Sequence, residues 1–154
     1  MGIPSKRLSP HARAMIREQQ AELAIEPGGQ LTVALDWPPS VNHYWRHVVI
    51  QGQVRVLLSA EGRKYQQTAT RQLFGKPSFP AHARLDLTIL CSAPDRRRYD
   101  LDNRVKAVQD ALAHAGIYHD DQQIDDLHVI RHPPTPGGQV IVTIRERAGQ
   151  GRLL

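Results

Sequence analysis

Two aspartates separated by one residue, Asp100 and Asp102, stand between an arginine run, Arg96-Arg97-Arg98, and Lys106. Carboxylates set inside a basic strip suit a divalent cation acting on a phosphate. The cation lets neighbouring acids ionise together, and the arginines attract the anion. If Leu101 continues an extended strand, both carboxylates share a face, because strand side chains alternate with a period of two. Asp102 also stands where a helix should begin, so its carboxylate has an alternative use as a cap for a free backbone N–H. The residues alone leave both uses open.

The helix that follows is signalled by Val105, Val108, Leu112 and Ala115 at helical spacing, with Gly116 as its stop. Lys106 lies four residues after Asp102 and four before Asp110, on a side away from that stripe. It is either a solvated ion-pair partner or a charge placed to stabilise an anionic transition state. Beyond the helix, Asp120-Asp121 offers a further carboxylate where a loop returns the chain toward the start of the unit. Hard cations such as Mg²⁺ keep several waters, so two or three aspartates suffice to hold one. Zinc has no recognised signature here, because Cys91 is the single cysteine and no H-E-x-x-H spacing occurs.

The run Pro94-Asp95-Arg96-Arg97-Arg98-Tyr99-Asp100-Leu101-Asp102-Asn103, with Lys106, Asp110-Ala111-Leu112, Ala115-Gly116 and Asp120-Asp121, resembles the core signature of the RusA family of Holliday-junction resolvases. Upstream, Trp37-Pro38-Pro39-Ser40, Asn42, Tyr44 and Arg46, then Ser59-Ala60-Glu61-Gly62 and Tyr65, are similar to the family's N-terminal motif and first helix. Pro134 to Glu146, with Gly137-Gly138, fits its closing segment. The resemblance implies that Asp100, Asp102 and Asp121 hold a catalytic Mg²⁺, with Mn²⁺ able to substitute, and that Lys106 is the catalytic lysine. It also implies a homodimer that cuts four-way DNA junctions symmetrically, of a kind common in phages and prophages. Two features depart from the pattern: an extra N-terminal segment of about 29 residues, and Tyr99 where a further basic residue can occur.

Stepwise along the chain, Ser9-Pro10 opens a charged helix to about Ile25, ended by Pro27-Gly28-Gly29. Leu31, Val33 and Leu35 alternate as a strand before Trp37-Pro38-Pro39, and Val48 to Leu58 reads as strand segments around a turn at Gly52. Ser59 caps a helix to about Phe74. Ala83 to Cys91, Ile124 to Arg131 and Gln139 to Arg145 read as three further strands. The expected fold is α+β, a single compact domain with a mixed β-sheet and helices packed on it. Its divisions are a helical extension at 1–29, the endonuclease unit at 30–147 and a tail at 148–154.

A net charge of +5 and a pI near 9.8 favour a polyanionic partner. One cysteine excludes an internal disulfide, and no apolar stretch reaches membrane-spanning length, so a cytoplasmic protein is expected. Candidate DNA contacts are Arg96, Arg97 and Arg98, of which one can pair with Asp95, together with His43, Tyr44 and Arg46 in a polar loop. Asp125 and Asp126 read as structural. The reading is magnesium-dependent hydrolysis of branched DNA at a four-way junction. Its alternatives are a less selective nuclease acting on flaps or forks, and a non-catalytic DNA-binding protein.

Overall fold

Every second residue of β4 (Leu85–Ser92), namely Leu85, Leu87, Ile89 and Cys91, is buried, as the alternation of its sequence requires. This strand lies inside a four-stranded sheet in a computed structural model that describes residues 28–148. The helix expected before Ile25 and nearly all of the expected tail fall outside those residues. The sheet order is β1-β6-β4-β5. β1 (Gln30–Asp36) and β4 each pair antiparallel with β6 (Gln139–Glu146), and β4 pairs parallel with β5 (Ile124–His132). The sheet is therefore mixed and the fold is α+β, as expected.

Val33 and Leu35 of β1 and Val140, Val142 and Ile144 of β6 join the β4 residues on one buried face. Of the three α-helices among the described residues, α1 is the short turn Val41–Tyr44, α2 spans Ala60–Gln72 and α3 spans Asp102–His114. α3 buries Ala107, Val108, Ala111 and Leu112. The expected stripe is thus rotated slightly, leaving Val105 and Ala115 only partly buried. Fully burying each larger aliphatic side chain stabilises the fold by about 1.5–3 kcal/mol, an upper figure for a compact unfolded chain. Gly116 stops α3 with φ +80°, a conformation that costs glycine little. No helix among the described residues is long and apolar enough to cross a membrane.

The segment from Ser40 to Leu58 corrects the expected polar loop. His43 and Tyr44 lie in α1, and Arg46 is the second residue of a hairpin in which β2 (Trp45–Ile50) pairs antiparallel with β3 (Gln53–Leu58). The strand begins three residues before Val48 because α1 ends directly into it. Gln51 and Gly52 both have positive φ, the pattern of a tight two-residue hairpin turn. Tyr44 is wholly buried, and its hydroxyl oxygen accepts from Gln66 Nε2 at 2.8 Å. It is a packing residue in this structure, not a DNA contact.

Ser59 Oγ accepts from the Gly62 N–H at 2.9 Å and starts α2 where the sequence predicts; the helix ends at Gln72, leaving Phe74 exposed. Gly62 presses against α1, and a Cβ there would stand 2.7 Å from the Tyr44 carbonyl oxygen. At an unconstrained helical position, alanine in place of glycine would stabilise by about 0.8–1.0 kcal/mol. Here Gly62→Ala is expected to destabilise instead, by roughly 1–3 kcal/mol, because backbone must move. A thermal unfolding midpoint that rises in the variant would contradict this packing.

Candidate active site

The acidic pair lies in the connection from β4 through α3 to its parallel neighbour β5. In open sheets of this kind, ligand sites collect beyond the carboxyl ends of strands, and Asp100 follows the carboxyl end of β4. The chain does not stay extended there. Leu101 has φ −62° and ψ −43°, so the shared-face argument from strand periodicity fails for Asp100 and Asp102. Asp102 is the first residue of α3, and the preceding Leu101 provides no side-chain cap. Among the described residues the Asp102 carboxylate makes no hydrogen bond or ion pair, and that of Asp100 accepts only a long contact, 3.5 Å, from Asn103 Nδ2. Both are exposed at the start of a helix whose first N–H groups lack intrahelical partners.

The third aspartate is placed by its neighbours. A one-turn 3₁₀ helix, Asp121–Gln123, precedes β5, and Asp120 caps it by accepting from the Gln122 N–H at 2.8 Å. This bond to backbone, above all, holds the Asp120 carboxyl below its usual range. Gln123 is buried with its amide fully used. Its Oε1 accepts from the N–H groups of His119 and Asp120, and its Nε2 donates to the Pro80 and Ala83 carbonyls. Asp120 is thus engaged in the turn, while Asp121 reaches outward to α3.

Asp121 Oδ2 lies 3.3 Å from Lys106 Nζ, and Asp110 Oδ1 lies 3.0 Å from the same ammonium. The hydrogen bond from Lys106 to Asp110 is the main cause that holds the lysine above its ordinary value, with Asp121 adding to it and partial burial opposing. Asp121 therefore meets α3 at its second turn. The parallel register explains why: Ile124 pairs beside Leu85 at the start of β4, whereas Asp100 follows its far end. Among the described residues, no three His, Cys, Asp or Glu side chains lie close enough to hold an ion between them. The structure joins Asp121 to Lys106, and the three aspartates do not by themselves form a closed cluster. The donor chemistry nevertheless fits a hard divalent cation. Asp100 and Asp102 offer exposed carboxylate oxygens with no cationic side chain bound to them among the described residues, and Mg²⁺ uses one or two carboxylates while keeping waters.

The arginine run divides its work. Arg97 donates from its N–H, Nε and Nη2 to Asp95, at 2.7 to 2.9 Å, so this arginine is the paired one. Arg96 and Arg98 are exposed and have no carboxylate partner among the described residues. Arg46 and His43 are also exposed. A recess of about 340 Å³ opens beside Asp100, lined by Trp37, Pro94, Asp95, Arg97, Arg98, Tyr99 and Arg104 among others. Three guanidinium groups against one carboxylate make it a place for an anion. Asp125 pairs with Arg84, and Asp126 lies 3.1 Å from His128 Nε2, in keeping with structural roles.

Sequence reasoning missed Gln123, Arg104 and Arg131. Arg104 Nη1 donates to the Pro38 carbonyl at 2.8 Å and Arg131 Nη2 to the Tyr99 carbonyl at 2.9 Å. Their partners are distant in sequence, so no local spacing could have announced them. Asp110 was visible as an i,i+4 neighbour of Lys106 and as part of the RusA-like signature, without a role assigned to it.

A family model described as Endodeoxyribonuclease RusA matches residues 36–145. The chain belongs to the RusA family. It is similar to the protein named Crossover junction endodeoxyribonuclease RusA from Shigella sonnei (strain Ss046), at 39% identity over 124 residues, covering 77% of this chain and 97% of that protein. The namesake from Enterobacteria phage 82 is 39% identical, with 77% and 96% covered, and that from Enterobacteria phage HK97 is 41% identical, with 73% and 91% covered. The RusA-family match runs from the last residue of β1 into β6, so it encloses Asp100, Asp102, Lys106, Asp110 and Asp121.

The charge line along α3 is open to direct titration. Asp110→Asn removes the main cause of the raised Lys106 pKa, so the ammonium should deprotonate at lower pH than in the parent, followed by NMR of the lysine side chain. The stabilisation from this pair is fully present below the ordinary lysine value and lost as pH rises through the raised one. An unchanged lysine titration would show that Asp110 does not hold it.

Proposed function

We propose that this chain is a divalent-metal-dependent endodeoxyribonuclease that resolves four-way DNA junctions by paired, symmetric nicks. The observation that carries the reading is similarity to proteins named crossover junction endodeoxyribonuclease, covering 77% of this chain and 96–97% of those proteins, together with a RusA-family match over residues 36–145 that encloses the acidic and basic residues of the site. Asp100, Asp102 and Asp121 would hold Mg²⁺, and Mn²⁺ can use the same oxygen donors. When bound, such an ion polarises a phosphoryl oxygen and makes water a better nucleophile at neutral pH. Lys106, kept protonated by Asp110, offsets the charge that builds on the phosphate during displacement. Arg96 and Arg98 hold flanking phosphates, while Asp95 fixes the direction of Arg97. Arg46 and His43 extend the basic surface from the α1 and β2 side. Water adds to phosphorus as one ester P–O bond breaks, with no covalent enzyme intermediate.

Symmetric cutting calls for two copies of the site, and the hairpin supports a homodimer. Cross-strand pairing puts His47 and Val49 of β2 on one face with Val56 and Val54 of β3. Val49, Val54 and Val56 are 71%, 70% and 54% exposed. A two-stranded sheet with an uncovered apolar face is marginal in water, and a two-fold partner would cover it with its own copy of the same face.

Asp100→Asn removes a ligand charge while leaving the arginines in place. Synthetic junction DNA should remain bound, with magnesium-dependent cleavage slowed by roughly 10²–10³-fold, the scale for loss of one electrostatic contact in the transition state. Cleavage at the parental rate would remove Asp100 from the mechanism, and equal cutting of junction and linear duplex by the parent would reject junction resolution. Val54→Glu, placed on the exposed hairpin face, is expected to shift sedimentation from dimer to monomer and to replace paired nicks by single ones. A parent that sediments as a monomer at micromolar concentration would exclude this interface.

A further inference from the structure

Three side chains from separate parts of the chain, Trp37, Arg104 and Arg131, converge on Tyr99, the residue that leads into Asp100. The Arg131 guanidinium stands 4.1 Å from the centre of the Tyr99 ring and donates to the Tyr99 carbonyl at 2.9 Å. Trp37 meets the same ring edge to face, with centroids 5.0 Å apart and planes at 88°. Arg104 lies 5.0 Å from the Trp37 centroid and 5.8 Å from that of Tyr99, and donates to the Pro38 carbonyl at 2.8 Å. These contacts tie the end of β1, the end of β5, the loop before Asp100 and the first turn of α3 into one unit.

The arrangement is a poor choice for stability alone. Two cations share one aromatic pair, and neither has a carboxylate partner among the described residues. The Tyr99 hydroxyl and Arg104 Nε are buried without hydrogen-bond partners. An apolar cluster of similar volume would avoid both costs. What the cluster supplies is position: Arg131 grips Tyr99 by ring and carbonyl, one residue before Asp100, and Arg104 fastens the turn that begins with Asp102. A planar guanidinium can stack and donate at once, which a lysine ammonium cannot do in the same way.

We propose that Arg104 and Arg131 are positioning residues of the nuclease site, clamping Tyr99 and the start of α3 so that the Asp100 and Asp102 carboxylates are held ready for a divalent cation. This rests on the reading of those aspartates as metal-holding groups. Ligands held by less rigid surroundings bind their ion more weakly, so the clamp acts on metal affinity before it acts on DNA.

Arg131→Lys keeps the charge and loses the stack and the planar fork. Mn²⁺ binding to the full chain without DNA, read by electron paramagnetic resonance, should weaken about tenfold or more, and the Mg²⁺ concentration for half-maximal single-turnover cleavage should rise in parallel. Junction affinity measured in Ca²⁺ and the thermal midpoint should change little. Arg104→Leu should weaken Mn²⁺ binding in the same way through the second carboxylate, so a folding failure in either variant leaves the other to decide. Folded variants that bind Mn²⁺ as the parent does would overturn the inference. If Asp100→Asn also left Mn²⁺ binding and cleavage at parental levels, the reading of the aspartates would fall first; if only the arginine variants behaved as the parent, the clamp alone would fall.

Discussion

The packing of α3 on the sheet governs where every charge of the site can be. Its face of Ala107, Val108, Ala111 and Leu112 is buried, and that choice fixes the rotation of the helix. With 3.6 residues per turn, Asp102, Lys106 and Asp110 must then run along the opposite, wetter side. The parallel pairing of β4 with β5 sets the end at which the return loop arrives. Lys106 is consequently the group that Asp121 meets. The ion pairs follow from the burial of four apolar residues, whose combined effect is far larger than that of any exposed pair.

Much of this frame was legible in the sequence because its signals are local. Alternation in β4, the Ser59 cap, the Gly52 turn and the Gly116 stop each depend on residues within one or two turns of one another, and all appear where their chemistry predicts. The shape of the chain at Leu101 was not legible. A D-x-D reads equally well as the end of a strand or the start of a helix, and the helix prevails because α3 must begin early enough to bury its full face. Tyr44 was misplaced for a related reason: a tyrosine among polar residues resembles a surface group until α2 and Gln66 close over it. Gln123, Arg104 and Arg131 bond to carbonyls that lie 32 to 66 residues away, which no spacing rule encodes.

The two turns that bracket α3 show how neighbouring acids acquire different tasks. Asp120 and Asp121 are adjacent in sequence, yet the 3₁₀ turn consumes one carboxylate as a cap and presents the other to Lys106. Gln123 enforces the division, since each of its amide atoms is committed to backbone and the turn cannot rotate without breaking several of those bonds. An aspartate pair at this position would otherwise be interchangeable, and only the buried amide makes the second one the outward-facing member.

On either side of Asp100 the surface holds charges of both signs that do not neutralise each other. Arg97 and Asp95 pair because they are two residues apart in a turn that brings them together. Among the described residues Arg96 and Arg98 have no carboxylate partner, although Asp100 and Asp102 are only a few residues on. Exposed ion pairs are worth little, so the absence of pairing costs the folded chain almost nothing. The arrangement leaves arginines open to an anion and carboxylates open to a cation within one short stretch. A phosphate and a divalent metal ion are mutually attracting ligands of opposite charge, and each improves the site for the other. A surface selected only for solubility has no reason to keep the two sets apart at such close range. Joint binding of a metal ion and a phosphodiester gives a reason, because pairing within the protein would compete with both.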